Sequence, residues 1–150
     1  VSVVDVYPLR VGGAGLEVLV LRRAAGGRCV GNWETVHGHI EPDERPVDAA
    51  LRELREETGL QPRALYNVSR VESFYQHRTD EIALIPVFAA LIGTGAEPVL
   101  SAEHDGMEWL GFAEAAQRLA WPRERRALQD ITILLGRGGA GPLEDVLRVC

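Results

Sequence analysis

Lysine is absent from this chain: all 16 of its basic residues are arginine. Any phosphate or carboxylate partner is therefore held by planar guanidinium forks and not by ammonium point charges. Cysteine is nearly as scarce. Cys29 and Cys150 stand far apart with no C-x-x-C spacing, which excludes a disulfide framework and a zinc ribbon and leaves two free thiols. No window approaches 18 uninterrupted apolar residues, so a membrane-spanning helix is excluded. No basic segment followed by an apolar core and a small-residue cleavage site is legible, and a cytoplasmic protein is expected. An excess of cations is lacking too. The net charge of −6 has the wrong sign for a surface that wraps nucleic acid, which needs clustered cations to displace phosphate counterions. What is present, 46% hydrophobic and 25% charged composition over 150 residues, has the size and chemistry of one globular domain over 1–150. Monomer and homodimer are both open.

Alternation and β-branched residues predict strands at Val3 to Leu9 and Glu17 to Arg22, joined through Gly12, Gly13 and Gly15. Two longer strands follow at Leu65 to Tyr75 and Ile82 to Ile92, separated by the polar turn His77 to Asp80, and Pro86 weakens the second. Gly93 to Pro98 reads as a loop and Met107 to Leu110 as a short strand. Helices are predicted from Pro46 to Thr58, Phe112 to Ala120, and Pro122 to about Leu135. Proline suits a first helical position and Gly59 the residue just past a helix end. A glycine-rich break at Gly136 to Gly141 leads to a tail, Leu143 to Val149, that fits helix or strand. Strands mixed with three helices indicate an α/β or α+β domain.

The helix from Pro46 carries the chemistry. Val47, Ala50, Leu51 and Leu54 recur at i, i+3, i+4 and i+7 and form the apolar stripe. Glu53, Glu56 and Glu57 then fall together on a neighbouring face. Like charges so placed cost about 0.2–0.5 kcal/mol per pair in an isolated helix, and a bound cation would relieve that cost. Hard oxygen donors with no cysteine beside them favour Mg²⁺, or Mn²⁺, over zinc. Arg52, one turn before Glu56, is placed to pair with it.

From Gly38 the chain reads Gly38, five residues, Glu44, seven residues, Arg52-Glu53-Leu54, one residue, Glu56-Glu57, one residue, Gly59-Leu60. This resembles the signature of the Nudix hydrolase family, G-x5-E-x7-R-E-U-x-E-E-x-G-U with U aliphatic, at all nine constrained positions. The resemblance implies a Nudix-type α/β/α sandwich with a mixed β-sheet, and hydrolysis of a nucleoside diphosphate linked to another moiety. It also implies that Glu53, Glu56 and Glu57 bind divalent metal, that the carbonyl of Gly38 adds a ligand, and that Glu44 pairs with Arg52, which is counted with the catalytic set. The family often recruits a further glutamate from the loop before the last core strand. Here that loop reads Ser101-Ala102-Glu103-His104-Asp105, and Glu103 is the preferred further ligand or general base. Glu53 is the alternative base, and His104 and Asp105 are weaker candidates. A carboxylate already bonded to a cation is a poorer base, because the cation depresses its pKa.

The segments Trp33 to Glu41, Glu103 to Leu110, and Trp121 to Leu128 resemble, more loosely, the subgroup that includes dATP and dihydroneopterin triphosphate pyrophosphohydrolases. A (d)NTP or dihydroneopterin triphosphate, cleaved to monophosphate and pyrophosphate, is the substrate that this implies. Tyr75 lies near a tyrosine position of the family's dinucleoside polyphosphate hydrolases, so that class stays open, as does a nucleotide sensor without turnover. Trp33, Phe74 and Tyr75 are candidates to stack on a base or pterin, and Arg22, Arg78 or Arg125 to hold phosphates. Of these, Trp33, Tyr75 and Arg78 are taken as the substrate contacts.

Overall fold

A computed structural model describes residues 2–150. The organising element is β1 (Val3–Gly12). Its first half pairs antiparallel with the short β4 (Val36–His39), from Val3 opposite His39 to Val6 opposite Val36. Its second half pairs antiparallel with β2 (Gly15–Arg23). Along its other edge it runs parallel to β6 (Glu81–Ile92). β6 in turn forms a long antiparallel hairpin with β5 (Pro62–Gln76), which ends the sheet. β2 also pairs with the two-residue β3 (Trp33–Glu34) and with β7 (His104–Gly111). Parallel and antiparallel partners on one strand make the expected mixed sheet.

Side-chain alternation then divides the core. Val4, Val6, Leu19 and Leu21 face α1 (Pro46–Thr58), packing on Ala49, Ala50 and Leu54. Tyr7, Leu9, Val18 and Val20 face the other way, against Ala115 of α2 (Phe112–Arg118) and Ala127, Leu128 and Ile131 of α3 (Pro122–Leu135). Successive strand residues point to opposite faces, so one strand serves both helical layers. The result is the α/β/α sandwich.

The differences from the sequence reading are local. β4 was not anticipated, because four residues containing Gly38 and two histidines carry no alternation. β7 starts at His104, not Met107, since Arg23 offers a partner past a bulge in β2; His104 and Asp105 are strand residues. Pro86 is accommodated because it lies opposite Val71, where the β5 register shifts. α2 stops at Arg118, two residues early. The tail takes both readings in turn: a 3₁₀ turn at Gly141–Leu143 and α4 (Glu144–Leu147) come first. A terminal extended stretch then places the Val149 amide on the Leu65 carbonyl at 2.7 Å.

Candidate active site

α1 is bounded as its sequence demands. Pro46 occupies the first turn, and Gly59 closes the helix at φ 68°, donating its amide to Arg55 O at 2.8 Å. A β-carbon is strained in that left-handed conformation. The helix end is strapped to the segment that precedes β7: Val99 N donates to Thr58 O at 2.7 Å and Ser101 N to Glu57 O at 3.3 Å. Ala24 N also donates to Glu103 O at 2.9 Å. Two backbone bonds thus carry this segment to the last turn of α1 and a third ties Glu103 to the end of β2, which no sequence spacing reveals.

Arg52 anchors the other end of the glutamate face. Its Nε and Nη2 donate to both oxygens of Glu44, at 2.8 and 2.9 Å. Nη2 also reaches His39 O at 2.8 Å, and Nη1 reaches Glu53 at 2.9 Å and Glu56 at 3.2 Å. A guanidinium has five N–H donors, and all five are used. The paired bonds to Arg52, with the Glu41 amide second, hold the Glu44 carboxyl at about 2. Arg52 therefore spends its donors on Glu44, Glu53, Glu56 and the His39 carbonyl, a position that suits holding these carboxylates in place.

Glu53 lies against the backbone of β4. A β-carbon on Gly38 would fall on the Glu53 carboxylate, so the signature glycine makes room for that carboxylate beside its own peptide. Burial raises the Glu53 pKa, with Arg52 opposing and Glu56 and Glu103 adding to it. Glu57 is buried, and one of its oxygens, Oε2, has no hydrogen-bond partner. Glu57, Glu103 and His104 each bring a donor atom within 4.8 Å of the others. Burial first, then the charges of Glu103 and Glu53, push the Glu57 carboxyl up to about 10. The His104 ring is buried, with Nε2 2.9 Å from Glu34 Oε1 and Nδ1 without a partner; Arg23 holds the same Glu34 oxygen at 2.9 Å. Unpaired buried oxygen and ring nitrogen are costly. Glu57, Glu103 and His104, with the charge of Glu53 nearby, offer donors that fit a divalent cation.

The predicted residues do not all converge. Glu56 is half exposed beside Arg52. Asp105 makes an exposed pair with Arg22 at 2.7 Å and stays outside the cluster. Trp33 is on β3 and Tyr75 on β5, at opposite ends of the sheet, so the two do not form one stacking platform. The guanidinium groups of Arg118 and Arg22 lie 4.8 and 5.7 Å from the centre of the Trp33 ring. Tyr75 is exposed and donates to Asp80, and Arg78 lies exposed in the adjacent turn. Arg125 is bonded to Leu119 O.

Sequence reasoning missed a second charged region on the α3 side. Asp5, fully buried, lies 2.5 Å from His37 Nδ1 and accepts from Arg123 Nε at 2.9 Å. These partners outweigh burial and hold its carboxyl below the usual range. A lone aspartate in the apolar run Val3-Val4-Asp5-Val6-Tyr7 was the available signal.

A profile of the NUDIX domain matches residues 1–131. The chain belongs to the Nudix family. This Nudix hydrolase is 32% identical over 117 residues to the mouse bis(5'-nucleosyl)-tetraphosphatase [asymmetrical], covering 77% of this chain and 78% of the mouse protein. Among solved structures, it is similar to a C. elegans Ap4A hydrolase binary complex, with TM-score 0.74, 19% identity and coverage of 89% and 96% of the two chains. It is similar also to the E. coli dihydroneopterin triphosphate pyrophosphohydrolase, with TM-score 0.72, 22% identity and coverage of 87% and 94%. At those identities the two structures establish the shared fold. Nudix hydrolases generally use a divalent metal, and the acidic cluster of this chain fits one.

Proposed function

We propose that the chain is an Mg²⁺-dependent pyrophosphohydrolase of nucleoside polyphosphates, with Mn²⁺ as the alternative ion. The observation that carries this reading is the meeting of buried Glu57 and His104 with exposed Glu103, near Glu53 and Gly38, together with a Glu57 oxygen that has no partner. The bound ion would neutralise charge on the phosphate oxygens and lower the pKa of a coordinated water. Glu53, Glu57 and the Gly38 carbonyl hold it, with Glu56 at the exposed rim. Arg52 fixes the Glu53 carboxylate, and Glu44 fixes Arg52. Glu103 is exposed beside Glu57 and reached by solvent, and it takes the proton of the attacking water. Glu53, already held between Arg52 and Gly38, is the weaker base.

The likeness to the mouse tetraphosphatase over most of both chains favours a dinucleoside polyphosphate as substrate. The looser subgroup resemblance favours a (d)NTP or dihydroneopterin triphosphate. The open placement of Tyr75 and Arg78 on an exposed hairpin suits a substrate with a second nucleoside outside the cleft. Turnover of dinucleoside tetraphosphate, (d)NTPs and dihydroneopterin triphosphate, with products identified, separates these. Preference for the dinucleotide by kcat/KM is expected, and hydrolysis of none with Mg²⁺ or Mn²⁺ overturns the enzymatic reading. A cytoplasmic setting belongs to the same reading, supported by the two exposed free cysteines; among the described residues no helix is long and apolar enough to cross a membrane.

A further inference from the structure

Three strands bring one polar chain of contacts to the acidic cluster. Leu21 of β2 packs on the α1 side and lies opposite Glu34 of β3. Residues directly opposite in an antiparallel ladder share a face, so Glu34 is turned toward α1 as well. Arg23 of β2 pairs past the bulge with His104 of β7. Both of these residues meet on one atom: Glu34 Oε1 accepts from Arg23 Nη1 at 2.9 Å and stands 2.9 Å from His104 Nε2. Glu34 and His104 are buried.

Glu34 decides which nitrogen of the ring carries a proton. Burial alone would raise its pKa, but the hydrogen bond from His104 and the charge of Arg23 prevail and hold its carboxyl below the usual range. An ionised carboxylate can only accept, so Nε2 is the N–H that donates to it. In the neutral imidazole the lone pair is then left on Nδ1. That nitrogen is buried and has no partner, while the ring offers a donor atom within 4.8 Å of a Glu57 and a Glu103 oxygen. With Nε2 spent on Glu34, Nδ1 is the nitrogen available to an ion among these carboxylates. A histidine that only tied β3 to β7 would gain nothing from a second ring nitrogen buried without a partner. Histidines that ligate metals are prepared in the way seen here, with the other ring N–H given to a carboxylate.

We propose that His104 is a nitrogen ligand of the divalent cation through Nδ1, that Glu34 is the positioning residue that fixes its tautomer, and that this nitrogen makes the site select Mn²⁺ over Mg²⁺. The proposal rests on the cation-dependent reading above and ranks the two ions named there. The ligands implied by the segment Gly38 to Leu60 are all oxygens, and oxygen donors alone suit Mg²⁺ and Mn²⁺ alike. His104 lies outside that segment and changes the chemistry of the set. Mg²⁺ is a small, hard ion that keeps to oxygen and gives up water reluctantly. Mn²⁺, a first-row transition ion, takes an imidazole among carboxylates more readily. Arg23 completes the arrangement by holding the Glu34 oxygen that the ring needs.

Metal binding to the full chain, without substrate, is the test. Electron spin-echo spectra of the Mn²⁺-loaded native chain are expected to show coupling to an imidazole nitrogen, and His104→Gln to abolish it. Competition titrations should give tighter binding of Mn²⁺ than of Mg²⁺ by the native chain. His104→Gln should raise the Kd for Mn²⁺ by about 10–100-fold and that for Mg²⁺ by less, narrowing the selectivity. Glu34→Leu should weaken Mn²⁺ binding by at least about tenfold, and Glu34→Gln, which keeps a carbonyl acceptor for Nε2, should recover most of that loss. Circular dichroism in metal-free buffer checks that each variant is folded, and the native spectrum is decisive without any variant. A native chain with no nitrogen coupling, a selectivity unchanged in folded His104→Gln, or coupling that survives His104→Gln and so belongs to another of the four histidines each overturns the proposal. Hydrolysis is assayed apart from binding. Nitrogen coupling in a chain that cleaves no substrate upholds the ligand assignment while the enzymatic reading falls, and cleavage by a chain without nitrogen coupling does the reverse.

Discussion

Glu57 and Glu124 are buried glutamates on helices that flank opposite faces of one sheet, and they are treated in opposite ways. Glu124 of α3 is fully buried, yet one oxygen accepts the Thr35 amide at 2.7 Å and the other the Trp121 amide at 3.3 Å. Glu57 of α1 has an oxygen with no partner and meets two further carboxylates. Burial raises both, to about 7 for Glu124 and about 10 for Glu57. The larger shift belongs to the group whose neighbours share its charge. A buried carboxylate satisfied by backbone donors fastens one element to another; one left short of partners beside like charges fits the proposed cation.

The largest expected effects test the Glu57 side. Glu57→Gln should lower kcat at least about 10²-fold, the scale of removing a group that stabilises transition-state charge, without lowering the melting temperature in metal-free buffer. Glu103→Gln should lower kcat by about 10²–10⁴-fold, the range for a general base, with metal binding retained. A larger loss in Glu53→Gln, measured at saturating substrate and Mg²⁺, would move the base to Glu53.

Metal binding is the next effect in size. An ion that binds only the folded state stabilises by about 2.7 kcal/mol at a hundred times its Kd. Calorimetric scans with Mg²⁺ and Mn²⁺ should show a rise in melting temperature for the native chain that shrinks in Glu57→Gln and persists in Glu124→Gln. Equal shifts in both variants would erase the contrast between the two glutamates.

Glu124→Ala should act on stability alone. It leaves the buried Thr35 amide without its acceptor, at a cost of about 1–3 kcal/mol, and the half-buried Trp121 amide without its own at a smaller cost, and denaturant unfolding measures it. Because Thr35 precedes β4, which bears Gly38, a change in kcat as large as that of Glu57→Gln would show that the α3 side takes part in the chemistry.

The legibility of these two regions differs for a physical reason. The α1 face was readable because one helix carries Glu53, Glu56 and Glu57, and periodicity fixes which residues share a face. Both long hairpin strands and all three main helices followed from alternation and proline or glycine punctuation, while the mixed sheet of the sandwich followed from the family resemblance. Glu103 rested on the family resemblance, and its approach to Glu57 depends on the strap from Val99 and Ser101. His104 was rated low as a loop residue, since its pairing with Arg23 across a bulge leaves no mark in the sequence. The Asp5, His37 and Arg123 cluster and the Thr35–Glu124 bond join residues 32 to 118 positions apart, where no local pattern exists.

The smallest expected effect is a pH dependence of stability assigned to Glu124. Burial raises its folded pKa to about 7, with the charge of Asp5 adding and the Thr35 and Trp121 amides and Arg123 opposing, while the unfolded chain ionises near the ordinary value of 4.5. Between those values the folded state binds more protons than the unfolded one, so stability falls as pH rises. Below about 4.5 both states are protonated and above about 7 both are ionised, and the contribution is flat. Asp5 has the opposite sign, its lowered pKa adding stability that is lost only as pH falls below the ordinary 3.8, outside this window. Urea unfolding of the metal-free chain at several pH values between 5 and 8 should therefore show a decline that Glu124→Gln reduces. Glutamine cannot ionise, and its amide keeps one acceptor for Thr35 while setting its nitrogen against the weaker Trp121 bond. The variant should thus start below the native chain at acid pH and close the gap as pH rises. A gap that stays constant across the window would mean that Glu124 titrates alike in both states, and that its two amide bonds fully offset its burial.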